Sequence, residues 1–341
     1  MPAEFEPHAG CWMLWPARPT TWRAQAEPAR AAFARVAAEI ARFEPVTIGA
    51  RPGDVDDARR RLPEVVRVVA LQSDDSWIRD TGPTVLRAAG GERLAVRWRF
   101  NGYGGLYAPH DADQQVAARV AEVEGLPTVA APFVLEGGAI HVDGAGTLLT
   151  TEECLLHPTR NPELSRVDIE DRLRAYTGAR TIVWLGQGVI GDSDTNGHID
   201  NLACFVAPGV VALAWEEDPA DPQHAVSLDA LKRLERAVDA RGRRFEVIKL
   251  PMPKPVTVRS EELSDPTPIH RAAGQRLAAS YANFYIANGG IVVPAFDDPA
   301  DAVALATLAR VFPERRVVGV SSREILLGGG NIHCITQQIP A

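Results

Sequence analysis

Five glycine-rich turns punctuate the chain: Asp80-Thr-Gly-Pro83, Glu136-Gly-Gly138, Asn196-Gly-His198, Asn288-Gly-Gly290 and Gly328-Gly-Gly-Asn331. Each falls after or between short apolar runs, and helix-patterned segments occupy the intervals. That recurrence points to one strand-turn-helix unit repeated about five times. Glycine at such turns lets backbone approach a ligand closely and adopt dihedrals that L residues avoid.

The intervals support the unit. Arg23 to Phe43 places Phe33, Val36, Ala37, Ile40 and Phe43 on one helical face. Further helices are predicted over Asp113 to Val123, Ser165 to Thr177, His224 to Ala240 and Pro299 to Phe312. Ser165 and Asp168 have capping-box spacing, and Gly178 is a stop signal. Strands are predicted over Val46 to Ala50, Val66 to Leu71, Leu94 to Phe100, Thr147 to Thr151 and Thr181 to Leu185. Five more are Val210 to Trp215, Phe245 to Leu250, Ile291 to Phe296, Val317 to Val320 and Glu324 to Leu327. Several are continuously apolar, which suits strands covered on both faces. The class is α/β, read as a single domain over residues 1–341.

Composition narrows the function. A charged fraction of 23% and hydrophobic fraction of 46% are those of a globular chain. A net charge of −8 argues against broad nucleic-acid binding. No apolar run reaches membrane-span length, and the start carries no signal-peptide pattern. Cys11, Cys154, Cys204 and Cys334 form no C-x-x-C pair, so reduced thiols and a cytoplasmic location are expected.

Four segments carry chemistry. Cys334 lies in Gly328-Gly-Gly-Asn-Ile-His-Cys-Ile-Thr-Gln-Gln338, read as following an apolar strand. It is either a nucleophile, which needs a site that stabilises thiolate, or a small buried hydrophobe. His198 and Asp200 form an H-x-D pair, and on a strand both would face one pocket. That pair reads as an acid/base His beside a substrate carboxylate, as part of a 2-His-1-carboxylate iron site, or as a turn. Asp74-Asp-Ser-Trp-Ile-Arg-Asp80 offers a cation clamp with Trp77 as an aromatic wall, or a charged loop with an internal Arg–Asp salt bridge. Glu136 ends an apolar run, where an acid must be paired, and is placed to orient a catalytic His. The other histidines (His8, His110, His141, His157, His224, His270 and His333) are read as structural or surface residues.

One thiol, one His and several carboxylates suit a guanidinium substrate. It is planar, always cationic and matches carboxylates in bidentate fashion. Its carbon is a poor electrophile that calls for a thiolate, and ammonia leaves only when protonated.

The chain closely resembles the agmatine deiminase family, in the bacterial-type peptidylarginine deiminase branch of the guanidino-group-modifying (pentein) superfamily. The matching stretches are Met1 to His8, Asp75-Ser-Trp-Ile-Arg-Asp80, Leu135 to Gly144, Thr151-Glu-Glu-Cys-Leu-Leu156, Asp194 to Asn201, Ser280 to Gly290 and Gly329 to Gln338. The resemblance implies a five-bladed pseudo-symmetric α/β propeller (pentein fold) with a central active-site channel. It implies Cys334 as nucleophile, His198 as general acid/base, Asp80 and Asp200 as the guanidinium clamp, and Glu136 as the acid near the His. Trp77 lines the site, and Asp194 is placed to meet the distal ammonium of agmatine. The implied reaction gives N-carbamoylputrescine and ammonia through a covalent thiouronium, in polyamine metabolism, with no metal or organic cofactor. The implied partner is a small cationic guanidine, with no nucleic acid or membrane, and a homodimer or larger homo-oligomer by analogy. One departure is Gly102-Tyr103, where many relatives carry Ala-Trp, and it bears on the site entrance.

Three rivals stand beside this reading. One is a deiminase of free or peptidyl arginine. Another is an iron oxygenase using His198, Asp200 and His270 or His333. The third is a non-catalytic propeller that binds without turnover.

Overall fold

The computed structural model describes residues 1–263 and 271–341. Five small sheets repeat one connectivity, as the blades of a propeller.

 In each, an antiparallel strand pairs with a central strand, and the central strand pairs in parallel with a third. The first sheet adds one further parallel strand, Arg67–Ala70.

The parallel pairs need a crossover, and a helix supplies it each time. Glu27–Ile40 joins His8–Leu14 to Val46–Ala50, and Asp113–Val123 joins Arg93–Arg99 to Thr128–Val134. Arg166–Thr177 joins Thr147–Thr151 to Thr181–Leu185, and Pro222–Arg236 joins Val210–Trp215 to Glu246–Pro251. Ala300–Val311 joins Gly290–Ala295 to Arg316–Ser321. The Ser165–Asp168 capping box forms, and Gly178 ends that helix in the left-handed conformation at φ +75°. The Glu27–Ile40 helix buries Phe33, Val36, Ala37 and Ile40 in one core cluster with Met13 and Ile48 of its own sheet and with Val292 and Val320 of the sheet built on Gly290–Ala295.

The antiparallel strands are short and were not apparent from local pattern: Thr84–Arg87, His141–Val142, Ala203–Ala207, Tyr285–Ile286 and Gln337–Pro340. The last pairs with His8–Leu14, so the two ends of the chain complete one sheet. Two expectations are corrected. Glu324 to Leu327 belongs to a helix, Arg323–Gly328, whose apolar residues Ile325 and Leu326 are buried. His198 and Asp200 lie at and inside a one-turn helix, Ile199–Leu202, rather than on a strand. The expected turn at Asn288-Gly-Gly290 forms as the hairpin between Tyr285–Ile286 and Gly290–Ala295.

Candidate active site

The candidate chemical residues lie just before the five antiparallel strands. Asp80 precedes Thr84–Arg87, Gly138 precedes His141–Val142, Asp200 precedes Ala203–Ala207, Asn283 precedes Tyr285–Ile286, and Cys334 precedes Gln337–Pro340. One blade after another thus delivers its turn to a shared site.

Gly138 shows how tightly they meet. A Cβ on this residue would lie 2.6 Å from His198 Nδ1, 2.9 Å from Asp80 Oδ1 and 3.0 Å from Asp200 Oδ2. Only a residue without a side chain leaves room for all three. Cys334 Sγ lies 3.7 Å from Asp200 Oδ2, and Asn283 Nδ2 donates to the sulfur at 3.4 Å. Trp77 lines the same narrow cavity with Asp80, Tyr103, Asp194 and Cys334. Gly330 lets the Trp77 ring pass close to Cys334: a Cβ there would lie 2.6 Å from the ring and 3.2 Å from the sulfur.

Glu136 faces His198, with Oε2 3.9 Å from Nε2. Its other oxygen accepts from Arg160 Nε at 2.7 Å, and both side chains of that pair are wholly buried. Arg160 also donates to Asn196 Oδ1 and to the Thr195 carbonyl, so it ties the Glu136 turn to the loop before His198. The His198 amide donates to Asp192 Oδ2 at 3.1 Å, which seats the ring.

The charges follow from this packing. Burial pushes the Asp80 carboxyl up to about 6, with Asp200 and Glu136 adding to the rise and His198 and the Gly138 amide opposing it. Burial alone would lower His198, but Asp80, the Cys154 thiol and Glu136 together hold it well above its ordinary value. Burial also works against ionised Asp200, yet the hydrogen bond and charge of His333 leave its carboxyl below the usual range. The Cys334 thiol is pushed well above its ordinary value by burial and by Asp200 and Asp80. The packing therefore favours the protonated thiol at Cys334 and the charged imidazole at His198 beside several carboxyl groups. Asp200 Oδ1 and Glu136 Oε2 are buried acceptors with no hydrogen-bond partner among the described residues. A planar cation rich in N–H donors fits that set.

Asp194 is half-buried at the cavity wall and pairs with Arg271, whose second contact with it is 3.3 Å. The expected salt bridge inside the Asp74–Asp80 loop does not form. Arg79 pairs with Glu4 at 3.2 Å, while Asp75 accepts from Thr21 and Trp22.

His333 departs from its structural reading. Its Nδ1 lies 2.8 Å from Asp200 Oδ2 and its Nε2 2.8 Å from Glu4 Oε2. Both ring nitrogens are thus engaged by carboxylates, which disfavours the iron set with His198 and Asp200. Among the described residues, the ligand-atom groups close enough for one ion are Glu4, His141, His333 and Glu136, Cys154, His198. Each contains a carboxylate already paired to an arginine, Arg79 or Arg160. His270, the other histidine named for an iron set, lies outside the described residues.

Arg160, Asn283 and Arg271 were not singled out from sequence, Tyr103 entered only as part of the departure at the site entrance, and His333 only as a structural residue or a rival iron ligand. His333 adjoins Cys334, and that adjacency was the available signal. Arg160 and Arg271 sit among unremarkable neighbours.

Comparison with known proteins extends the likeness over the whole chain. The profile of the Porphyromonas-type peptidyl-arginine deiminase family matches residues 1–340. An agmatine deiminase of Pseudomonas aeruginosa (strain UCBPP-PA14) is 52% identical over 351 residues, covering 100% of this chain and 95% of the relative. The solved agmatine deiminase of Enterococcus faecalis superposes with a TM-score of 0.97 at 42% identity, covering 100% of this chain and 95% of that one. A dimethylarginine dimethylaminohydrolase of Pseudomonas aeruginosa, at 13% identity and a TM-score of 0.51 over 98% of this chain and 100% of that one, shares the fold alone.

Proposed function

The chain belongs to the Porphyromonas-type peptidyl-arginine deiminase family, and on that footing we propose that it hydrolyses agmatine to N-carbamoylputrescine and ammonia. The observation that carries this reading is the convergence of Asp80, Asp200 and His198 within 3.0 Å of one point at Gly138, with the Cys334 sulfur 3.7 Å from Asp200. Agmatine deiminases at about half identity support the choice of substrate.

Asp80 and Asp200 grip the guanidinium and set its plane. The bound cation offsets the carboxylates that hold the Cys334 proton, and the thiol ionises. Its proton passes to solvent, since His198 already carries one. The thiolate attacks the central carbon, and His198 protonates the departing ammonia. That leaves an S-alkylthiouronium on Cys334 and a neutral imidazole. Water then attacks the thiouronium carbon and His198 takes one of its protons; the tetrahedral adduct collapses with cleavage of the C–S bond, the hydroxyl proton passes to solvent, and the neutral ureido product leaves with the thiolate restored. Glu136 favours the imidazolium at both stages. Every step draws on side chains of this chain, so the reaction as written uses no metal or organic cofactor.

Asp194 is assigned to the distal ammonium, which takes the place of Arg271 as its partner. A second reading, free or peptidyl arginine, calls for a cation to meet the α-carboxylate, and Arg271, beside Asp194, is the candidate. Ammonia release from agmatine, arginine and a blocked arginine peptide separates the two. Agmatine turning over fastest supports the proposal, and arginine or the peptide doing so overturns it. The same proposal places a homo-oligomer in the cytoplasm, in polyamine metabolism. Among the described residues, no helix is long and apolar enough to cross a membrane.

A further inference from the structure

Tyr103 occupies a backbone conformation that side chains resist. Its φ and ψ are +56° and +48°, and Gly104 follows at +76° and +24°. A non-glycine residue persists in this region only where its surroundings hold it there. Asn101 does so: its Oδ1 accepts the Gly104 amide at 2.8 Å, and its Nδ2 donates to the Thr159 carbonyl at 2.9 Å. The Tyr103 ring is buried edge-on against Phe100 and Tyr107, with centroids 5.1 and 5.4 Å away.

The strained turn aims the phenol. Tyr103 donates its hydroxyl to Asp80 Oδ2 at 2.8 Å. On the other side of the carboxylate, the Gly138 amide donates to Oδ1 at 2.9 Å. Each oxygen of Asp80 thus has a donor from a different turn of the chain. A carboxylate held at both oxygens cannot rotate about its own axis, and each oxygen keeps a lone pair for a ligand.

We infer that Tyr103 is a positioning residue of the reaction, its phenol and the Gly138 amide together holding Asp80 in the orientation that grips a guanidinium. The inference rests on the deiminase reading for its substrate, but the hold on Asp80 can be measured without one.

The groups facing Asp80 set the direction of the effect. Asp200 and Glu136 raise its affinity for a proton, His198 and the Gly138 amide lower it, and Cys334 lies on the same cavity. A hydroxyl donating to the ionised carboxylate acts with His198 and Gly138. Losing that hydroxyl therefore makes Asp80 easier to protonate, and with it the clamp easier to lose.

The test is Tyr103→Phe, which keeps the ring and its packing. The inference predicts that kcat/KM for agmatine falls roughly 10- to 100-fold, the loss of one hydrogen bond to a charged group. It also predicts that the acid limb of kcat/KM moves to higher pH. A residue that only packs would leave both kcat/KM and the acid limb near those of the parent in Tyr103→Phe, and that result overturns the inference. A second readout is the titration of Asp80 followed by carbon-13 NMR in aspartate-labelled protein, with Asp80→Asn to identify the signal. A higher Asp80 pKa in Tyr103→Phe supports the hold even if agmatine is not the substrate, and an unchanged pKa refutes it. Parent protein that fails to turn over agmatine while the Asp80 pKa still responds to Tyr103→Phe counts against the substrate and not against Tyr103.

Discussion

His333 holds Asp200 by one oxygen: its Nδ1 lies 2.8 Å from Oδ2, while Oδ1 is buried with no hydrogen-bond partner among the described residues. The ring thus orients the carboxylate from behind and leaves its free oxygen to the substrate. Glu4 holds the far nitrogen of the same ring, and Arg79 holds Glu4. A chain of buried charges therefore runs from the N-terminal segment to the clamp.

That chain makes stability depend on pH. Burial and Arg79 lower the His333 pKa, but Glu4 and Asp200 outweigh them and raise it above its ordinary value. A group whose folded pKa is raised stabilises fully below its unfolded pKa, near 6.5, and loses that contribution as pH rises through the folded value. Replacing His333 by Gln should therefore lower Tm most below about pH 6.5, with the gap to the parent narrowing at higher pH. Thermal unfolding of both proteins across pH checks this, and a gap that widens with pH contradicts it.

Gly138→Ala tests the convergence directly. The glycine is not at a positive φ, so alanine meets little backbone strain, and the added methyl falls between His198, Asp80 and Asp200. Displacing these groups should cost about 100-fold or more in kcat/KM. Steady-state assay beside thermal unfolding is the check, and near-parent activity contradicts the geometry.

With Asp80 as half of the proposed clamp, its carboxyl, pushed up to about 6 by burial, should set the acid side of the pH profile. It grips a cation when ionised and releases it when protonated. The kcat/KM for agmatine should therefore fall as pH drops through about 6, and Asp80→Asn should lose most activity at every pH. A profile flat from pH 7 down to 5 contradicts that role.

The repeat was legible in sequence because each crossover helix is long and periodic, and the buried parallel strands are apolar runs. The inner antiparallel strands were not, because two of them, His141–Val142 and Tyr285–Ile286, span only two residues. Ile325 and Leu326 sit in an apolar run too short for periodicity to separate helix from strand. Cys334, His198, Asp80, Asp200 and Glu136 stood out as chemical residues beside glycine turns. Their supports did not: Tyr103 reaches Asp80, Arg160 reaches Glu136 and Asn283 reaches Cys334 only through folding. His333 meets Asp200 across 133 positions of sequence.

The central claim is that Cys334 attacks a guanidinium held by Asp80 and Asp200. Rapid acid quench during agmatine turnover, followed by peptide mass spectrometry, tests it most directly. The account predicts an adduct equal to agmatine less ammonia on the peptide bearing Cys334, absent in Cys334→Ala, which should fold but release no ammonia. Ammonia released by Cys334→Ala near the parent rate, or an adduct carried by Cys154 instead, would contradict it.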